Sequence, residues 1–262
     1  MESSPLSVER QGGVTVVTLT RPELLNRFDV AMHHAFQAML EELRDDDQAR
    51  AVVLASTGKA FSAGGDFEMM RDAQADAELA DELIDGARNL VTSLIDIDQP
   101  IVVAMQGPAI GLGATVALAC DAIVASRTAQ IADTHVVAGL VAGDGGCLVW
   151  PEAIGMLRAR RHLLTGDPLS AEDAHAMGLV TDLVDTPDDV LPAAMALAER
   201  IAALPPLAVQ GTKRALNRLT KDRAEEVLST SLEGELTTLR SEDLLEALDA
   251  FKEKRPGTFE GR

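Results

Sequence analysis

Tyrosine is absent from the sequence, and aromatic residues together make up only 3% of its 262 residues. A phenol hydroxyl is therefore excluded as a catalytic acid or as an oxyanion donor. Basic residues are scarce as well: 23 stand against 42 acidic residues, which gives a formal net charge of −19. Such a surface repels nucleic acid and anionic membranes. No apolar run approaches 18 residues without a charged residue, glycine or proline, so we expect neither nucleic acid nor a membrane as a partner.

Cysteine is rare too. The two cysteines, Cys120 and Cys147, both lie in apolar stretches. They can form a disulfide, but buried free thiols in a reducing compartment are favoured. The first 13 residues lack a basic segment followed by an apolar segment, which is the pattern of a signal peptide. We therefore expect a soluble, cytoplasmic protein.

Short β-branched runs alternate with helical patterns in the first part of the chain. The predicted strands are residues 14–19, 51–56, 101–107, 122–126, 129–133 and 179–184. Helical patterns cover residues 29–43 and, in one long acidic segment, residues 67–97. This alternation predicts an α/β fold.

Beyond residue 187 the strand patterns stop. Four successive helices are predicted, at residues 187–204, 205–219, 222–239 and 241–255. We therefore expect two parts, an α/β core at 1–187 and a helical region at 188–262.

Two glycine-rich segments, at residues 58–70 and 105–121, each lead from a predicted strand into a helix. Glycine lets the backbone turn sharply and lets a ligand approach its N–H groups, and a helix start adds free donors. Two such ends side by side would form a two-donor pocket for an oxyanion, although either alone is typical of a simple turn. The first strand is not followed by G-x-G-x-x-G and there is no Walker loop, which disfavours a nucleotide site.

Together, and about 45 residues apart, the two segments resemble the crotonase (enoyl-CoA hydratase/isomerase) superfamily. HLLTGDPLSAEDAHAMGLVTDLV at 162–184 and FKEKRPGTFEGR at 251–262 extend the resemblance. It implies a spiral of ββα units followed by a helical trimerisation region, assembled as a homotrimer or hexamer. It also implies an acyl-CoA substrate and no cofactor beyond coenzyme A. The sequence has no H-E-x-x-H motif and no cysteine pairing, so no metal is expected.

The resemblance also assigns site residues. The oxyanion would be held by the backbone N–H groups of Gly65 and Leu112. The coenzyme A part would be bound by Lys59, Ala60, Ser62, Ala63, Gly111 and Arg27.

The family's hydratases carry two catalytic glutamates. At the aligned positions this sequence has Thr115 and His135 instead. Asp144, between glycines, is the candidate replacement, and an exposed turn residue is the alternative. An apolar neighbourhood is expected to raise its pKa. His135 is either a proton shuttle or a structural histidine, which Asp133 could orient from the same strand. Thr115 either donates a hydrogen bond or only packs.

The resemblance therefore predicts an acyl-CoA enzyme that stabilises a thioester enolate, without the usual glutamate pair. Three alternatives remain open. The first is a C–C hydrolase of the same fold acting on a cyclic β-keto CoA thioester, and the second is a catalytically silent CoA-thioester binding protein. The third is a serine protease with Ser62 as nucleophile, although Ser62 lacks G-x-S-x-G surroundings.

Overall fold

The computed structural model describes residues 4–262; residues 1–3, which begin the segment where no signal peptide is expected, lie outside the described residues. The strands are β1 (Leu6–Gln11), β2 (Val14–Leu19), β3 (Ala51–Ser56), β4 (Ile101–Met105), β5 (Ala109–Ile110), β6 (Ala122–Ser126), β7 (Gln130–Ala132), β8 (Leu169–Ser170) and β9 (Asp182–Val184). The helices are α1 (Val30–Arg44), α2 (Phe67–Ala75), α3 (Ala77–Asp96), α4 (Leu112–Leu118), α5 (Gly146–Ile154), α6 (Met156–Thr165), α7 (Ala171–Met177), α8 (Pro187–Ala202), α9 (Pro206–Leu239) and α10 (Glu242–Glu253).

A six-stranded sheet in the order β1-β2-β3-β4-β6-β9 forms the centre of the fold. The hairpin β1–β2 is antiparallel, and the remaining neighbours are parallel. Strand β1 was not predicted, because its polar residues leave no apolar alternation to detect. The central strands are buried on both faces, as expected for parallel strands between helices.

Each face of this sheet belongs to a different core. One face packs on α8, where Val190, Ala194 and Ala198 meet the even-numbered valines of β2, β4 and β6. The other face packs against the larger core, to which α1 and α3 contribute their apolar sides. A smaller sheet in the order β5-β7-β8 continues the winding of the chain. The predicted α/β class is confirmed.

The helices depart from the prediction at two places. The acidic segment 67–97 is not one helix, because Asp76 ends α2 and its carboxylate accepts the N–H groups of Glu78 and Leu79 as the cap of α3. Conversely, the two helices predicted at 205–219 and 222–239 are one helix of 34 residues, α9. No proline or glycine stands at the predicted break, so nothing in the chain interrupts the hydrogen-bond ladder there.

Within residues 4–262, no single helix has both the length and the apolar composition of a membrane span. The helices α8 and α9 reach those criteria only when taken together, and they are bent by 107° at the break between them.

Candidate active site

The two glycine segments lie against each other in the structure. Gly64 has a φ of +84°, and a Cβ there would lie 2.5 Å from the carbonyl oxygen of Ile110 and 3.4 Å from the amide nitrogen of Leu112. Ser62 and Ala109 also form a backbone bridge. Because only glycine tolerates both this φ and this approach, Gly64 brings the start of α4 beside the loop that precedes α2.

The amides of Gly65 and Leu112 both border one narrow cavity. Leu112 is the first residue of α4, so its N–H has no partner within the helix. In the described part of the chain, neither amide donates to another backbone carbonyl. Two residues whose N–H groups have no backbone acceptor among the described residues therefore line the same cavity.

A buried hydrogen-bonded cluster forms another wall. His135 Nδ1 lies 2.8 Å from Asp133 Oδ1, and His135 Nε2 lies 3.0 Å from Asp144 Oδ2. The Thr115 hydroxyl donates to Asp144 Oδ1 at 3.3 Å. All four side chains are buried. Thus Asp144 is not an exposed turn residue, and His135 is held between two carboxylates.

Asp133 orients His135 as expected, but not along a strand. Strand β7 ends at Ala132, and His135 begins a 3₁₀ turn that ends at Ala138. The Asp133 carboxylate also accepts the backbone N–H of His135 at 3.2 Å. This local turn, rather than the alternation of an extended strand, directs both side chains to the same side.

The charges of the cluster determine its protonation. Burial alone would lower the pKa of His135, but the charges of Asp144 and Asp133 outweigh it and raise the pKa well above 6.5. Burial alone would raise the pKa of Asp144, but His135 and the donors Gly146 and Thr115 lower it below its ordinary value. The expectation of a raised pKa for Asp144 was therefore wrong, because the imidazolium and its hydrogen bonds outweigh the apolar surroundings.

Glu235, on α9, also lines the cavity and was not predicted as a site residue. The residue as a whole is half-buried, but its Oε2 is inaccessible to solvent and has no hydrogen-bond partner among the described residues. Burial and then the charge of Asp144 raise the pKa of Glu235 to about 8. A signal was present in the sequence: Glu235 interrupts the buried stripe of Leu228, Leu232 and Leu239 on α9.

His33, on α1, is a second unpredicted residue at the cavity. Its ring packs edge-on against Phe28, with 5.5 Å between the ring centres. Burial lowers the pKa of His33, which favours the neutral imidazole at pH 7. Its neighbour His34 is exposed.

Ligand atoms of His135, Asp144 and Glu235 lie within 4.8 Å of one another. Metal ligands can have this spacing, but both ring nitrogens of His135 already face carboxylates. Hydrogen bonding and proton sharing account for the cluster as it stands.

The whole chain is similar to known acyl-CoA enzymes. Residues 9–262 match the sequence model of the family described as enoyl-CoA hydratase/isomerase. The chain belongs to the enoyl-CoA hydratase/isomerase family, in the crotonase superfamily.

Individual members of the family cover nearly all of the chain. A protein described as "Probable enoyl-CoA hydratase" from Rhizobium meliloti (strain 1021) is 33% identical over 100% of both chains. A 1,2-epoxyphenylacetyl-CoA isomerase from Escherichia coli (strain K12) is 32% identical over 95% of this chain and 96% of its own. The crystal structure of an enoyl-CoA hydratase/isomerase from Mycobacterium paratuberculosis superposes with a TM-score of 0.90 at 36% identity, covering 94% of this chain and 98% of that one. The predicted crotonase-type fold is therefore confirmed.

The residues that the family resemblance assigns to coenzyme A are not among those that border this cavity. Lys59 is exposed, whereas Ala60 and Ser62 are buried. Ser62 donates its hydroxyl to the Asn26 carbonyl at 2.8 Å and has no exposed surface. Its side chain therefore cannot reach a ligand or a scissile bond. This disfavours the serine-protease alternative, which needs Ser62 as the nucleophile.

Two backbone hydrogen bonds and one ion pair occupy three further positions of that set. The N–H groups of Ala63 and Gly111 donate to Leu25 and Ala132, respectively. The Arg27 guanidinium pairs with Asp66 at 2.6 Å. Asp66 in turn caps α2, since its carboxylate accepts the N–H groups of Glu68 and Met69.

Proposed function

We propose that this member of the enoyl-CoA hydratase/isomerase family binds an acyl-CoA thioester and stabilises its enolate with the amides of Gly65 and Leu112. Asp144, paired with His135, transfers the proton. One observation supports the proposal above all. Within residues 4–262, Gly65 and Leu112, whose N–H groups donate to no backbone carbonyl, border the same cavity as the buried pair of Asp144 and His135.

The amides suit the oxygen of a thioester whose charge grows during the reaction. Each donor in such a hole typically contributes about 2.7–4 kcal/mol to the transition state. Leu112 stands where the family often has glycine, and its 5% exposed side chain narrows the acyl end of the cavity. Since the donor is the main-chain N–H, this side chain affects the fit of the acyl group and not the hydrogen bond.

Relocation of a proton fits the cluster better than addition of water. The family's hydratases use glutamates where this chain has Thr115 and His135. Here those two residues donate to Asp144 instead, one to each carboxylate oxygen. Water addition in those hydratases uses both glutamates, one to orient and activate the water and one to supply the proton, and neither position offers a carboxylate here.

Comparison of CoA thioesters tests this proposal. We expect conversion of a 3-enoyl-CoA to the 2-enoyl-CoA to exceed hydration of crotonyl-CoA by at least about tenfold, because general acid–base groups are present but no glutamate pair is. Mass spectrometry separates the reactions, since hydration adds the mass of water and isomerisation adds none. Rapid hydration of crotonyl-CoA that Asp144→Asn leaves unchanged would contradict the proposal. Binding of every thioester with conversion of none would indicate the silent binding protein instead.

We further propose that the chain assembles as a trimer or a dimer of trimers in the cytoplasm, and that its chemistry uses no cofactor beyond the substrate's coenzyme A. Large apolar side chains are exposed on the first half of α9, at Leu207, Leu216 and Leu219. Their exposed fractions are between 62% and 80%. Apolar surface of this kind commonly marks a protein interface.

Light scattering in solution tests the assembly. We expect the mass of three or six chains at micromolar concentration. The double variant Leu216→Glu, Leu219→Glu should shift the measured mass towards that of one chain, because charges buried in an interface oppose association. The exposed Glu226 on the same helix gives a matched control as Glu226→Gln. A monomer for the unmodified protein would refute the assembly.

A further inference from the structure

We propose that Glu235 is the proton donor of this site: Asp144 takes a proton from one substrate carbon, and Glu235 gives a proton to another. The inference rests on the proposed function, because it needs a thioester enolate at Gly65 and Leu112. It gives a catalytic role to a residue of α9, which lies in the helical region at 188–262 that the sequence linked only to assembly.

The position of the Glu235 carboxyl group supports the role. It borders the same cavity as the two amides, and an oxygen of it lies within 4.8 Å of ligand atoms of His135 and Asp144. Its Oε2 is buried without a partner among the described residues. A carboxyl group that borders the cavity this close to Asp144 can exchange a proton with a substrate held there.

Close packing holds this carboxyl group against the Asp144 loop. The Ser231 hydroxyl, one turn earlier on α9, donates to the Gly143 carbonyl at 3.2 Å. A Cβ added at Gly143 would lie 2.7 Å from the side chain of Glu235. The absence of a side chain at Gly143 therefore permits the contact between helix and loop.

Burial and then the charge of Asp144 keep Glu235 protonated, whereas His135 keeps Asp144 ionised. Asp144, Asp133 and His135 act on Glu235 electrostatically, and His33 faces the same cavity. The other walls are apolar; they consist of Met69, Met70, Leu83, Ile84, Ala87, Leu140 and Leu239. The pKa of Glu235 is raised to about 8, whereas that of Asp144 is lowered. Environments that separate the pKa values of two carboxyl groups in this way define one acid and one base.

The proposed step balances for a 3-enoyl thioester. Asp144 removes a proton from C2, and the electron pair of the C–H bond forms a dienolate whose oxygen faces the amides of Gly65 and Leu112. The electrons then return to C4, which takes the proton of Glu235, and the double bond moves from C3–C4 to C2–C3. A proton passes from Asp144 to Glu235 within the cluster and restores the starting state.

Two substrates separate the roles of the two carboxyl groups. Butyryl-CoA in D₂O reports exchange at C2, which needs only Asp144 and the amides. 3-Hexenoyl-CoA reports isomerisation, which needs Glu235 as well. The variants are Glu235→Gln and, as matched control, Glu233→Gln, two residues earlier and exposed on the same helix.

We expect Glu235→Gln to slow isomerisation about a hundredfold, the usual scale for loss of a general acid, and to retain C2 exchange. The control should retain both reactions. Wild-type isomerisation should also decline as the pH rises through about 8, since Glu235 then loses its proton. In Glu235→Gln that decline should be absent.

Isomerisation by Glu235→Gln at the wild-type rate would overturn the inference, as would an equal loss of exchange and isomerisation. If the variant does not fold, a wild-type isomerisation rate that stays constant between about pH 7 and 9 overturns it as well. If wild-type protein performs neither reaction, the proposed function itself fails, and this inference fails with it.

Discussion

Replacement of Asp144 by asparagine is expected to lower turnover at least about a hundredfold, the scale on which enzymes lose rate with a general base. Asparagine keeps the shape of the side chain, and its oxygen can still accept the Thr115 hydroxyl. However, it has no charge, so the pKa of His135 should fall because Asp144 is the largest contributor that raises it. The variant therefore removes the base and also changes the protonation of its partner.

Binding should hardly change in this variant. The amides of Gly65 and Leu112 belong to the backbone, and neither is bonded to Asp144. Turnover and the Kd of a non-reactive thioester should therefore separate, with the loss confined to turnover. Asp185→Asn is a suitable control, since Asp185 is exposed and, among residues 4–262, pairs only with Arg127. Equal turnover of the Asp144→Asn variant and the wild type would remove Asp144 from the mechanism.

The second large effect concerns the free energy of unfolding. Lys213 on α9 is buried, and its ammonium group donates to the Gln99 carbonyl at 2.9 Å and to Asp121 Oδ2 at 2.7 Å. The same Asp121 oxygen accepts the N–H of Ile101 at the start of β4. The ion pair therefore ties α9 to the strand that leads into the second glycine segment.

We expect Lys213→Met to destabilise the protein by about 2–3 kcal/mol. Removing one partner of a buried pair costs about 3–5 kcal/mol, and Asp121, whose side chain is 30% exposed, recovers part of this by hydration. For a chain of this size, the loss corresponds to a decrease in Tm of roughly 5–10 °C. Lys221→Met gives the control, because Lys221 pairs with Asp96 at the surface, where such pairs contribute about 1 kcal/mol or less.

A double-mutant cycle identifies the cause. Asp121→Asn should recover part of the stability in the Lys213→Met background, because the unpaired, partly exposed charge of Asp121 is then removed. If Lys213→Met and Lys221→Met have the same Tm, the buried pair does not contribute as argued. Chemical denaturation provides the free energies for the cycle.

Local patterns in the sequence were sufficient for most of the fold. The strands at 14–19, 51–56 and 122–126 have the predicted bounds, because β-branched runs between turn residues are a local signal. Strand β1 was missed, since its half-exposed polar residues are held mainly by pairing with β2.

The site was only partly predictable, for a different reason. Asp144 and His135 are nine positions apart, and their contact follows from one turn and one loop. Glu235 reaches them across about 90 residues of sequence, through the packing of α9 on the loop at Gly143. The direction of the pKa of Asp144 depended on the same assembly, because the position of the imidazolium relative to the carboxylate is a property of the folded chain.

Helix α9 has 34 residues and is therefore about 50 Å long. Its first half presents Leu207 and Leu216 outwards, and its second half carries Glu235 into the cavity. Because the helix is uninterrupted, a tilt of its first half also tilts its second half. In protein engineering, α9 therefore has to be treated as a single part. A change of the surface around Leu207 and Leu216 that tilts the helix would also move the Glu235 carboxyl group.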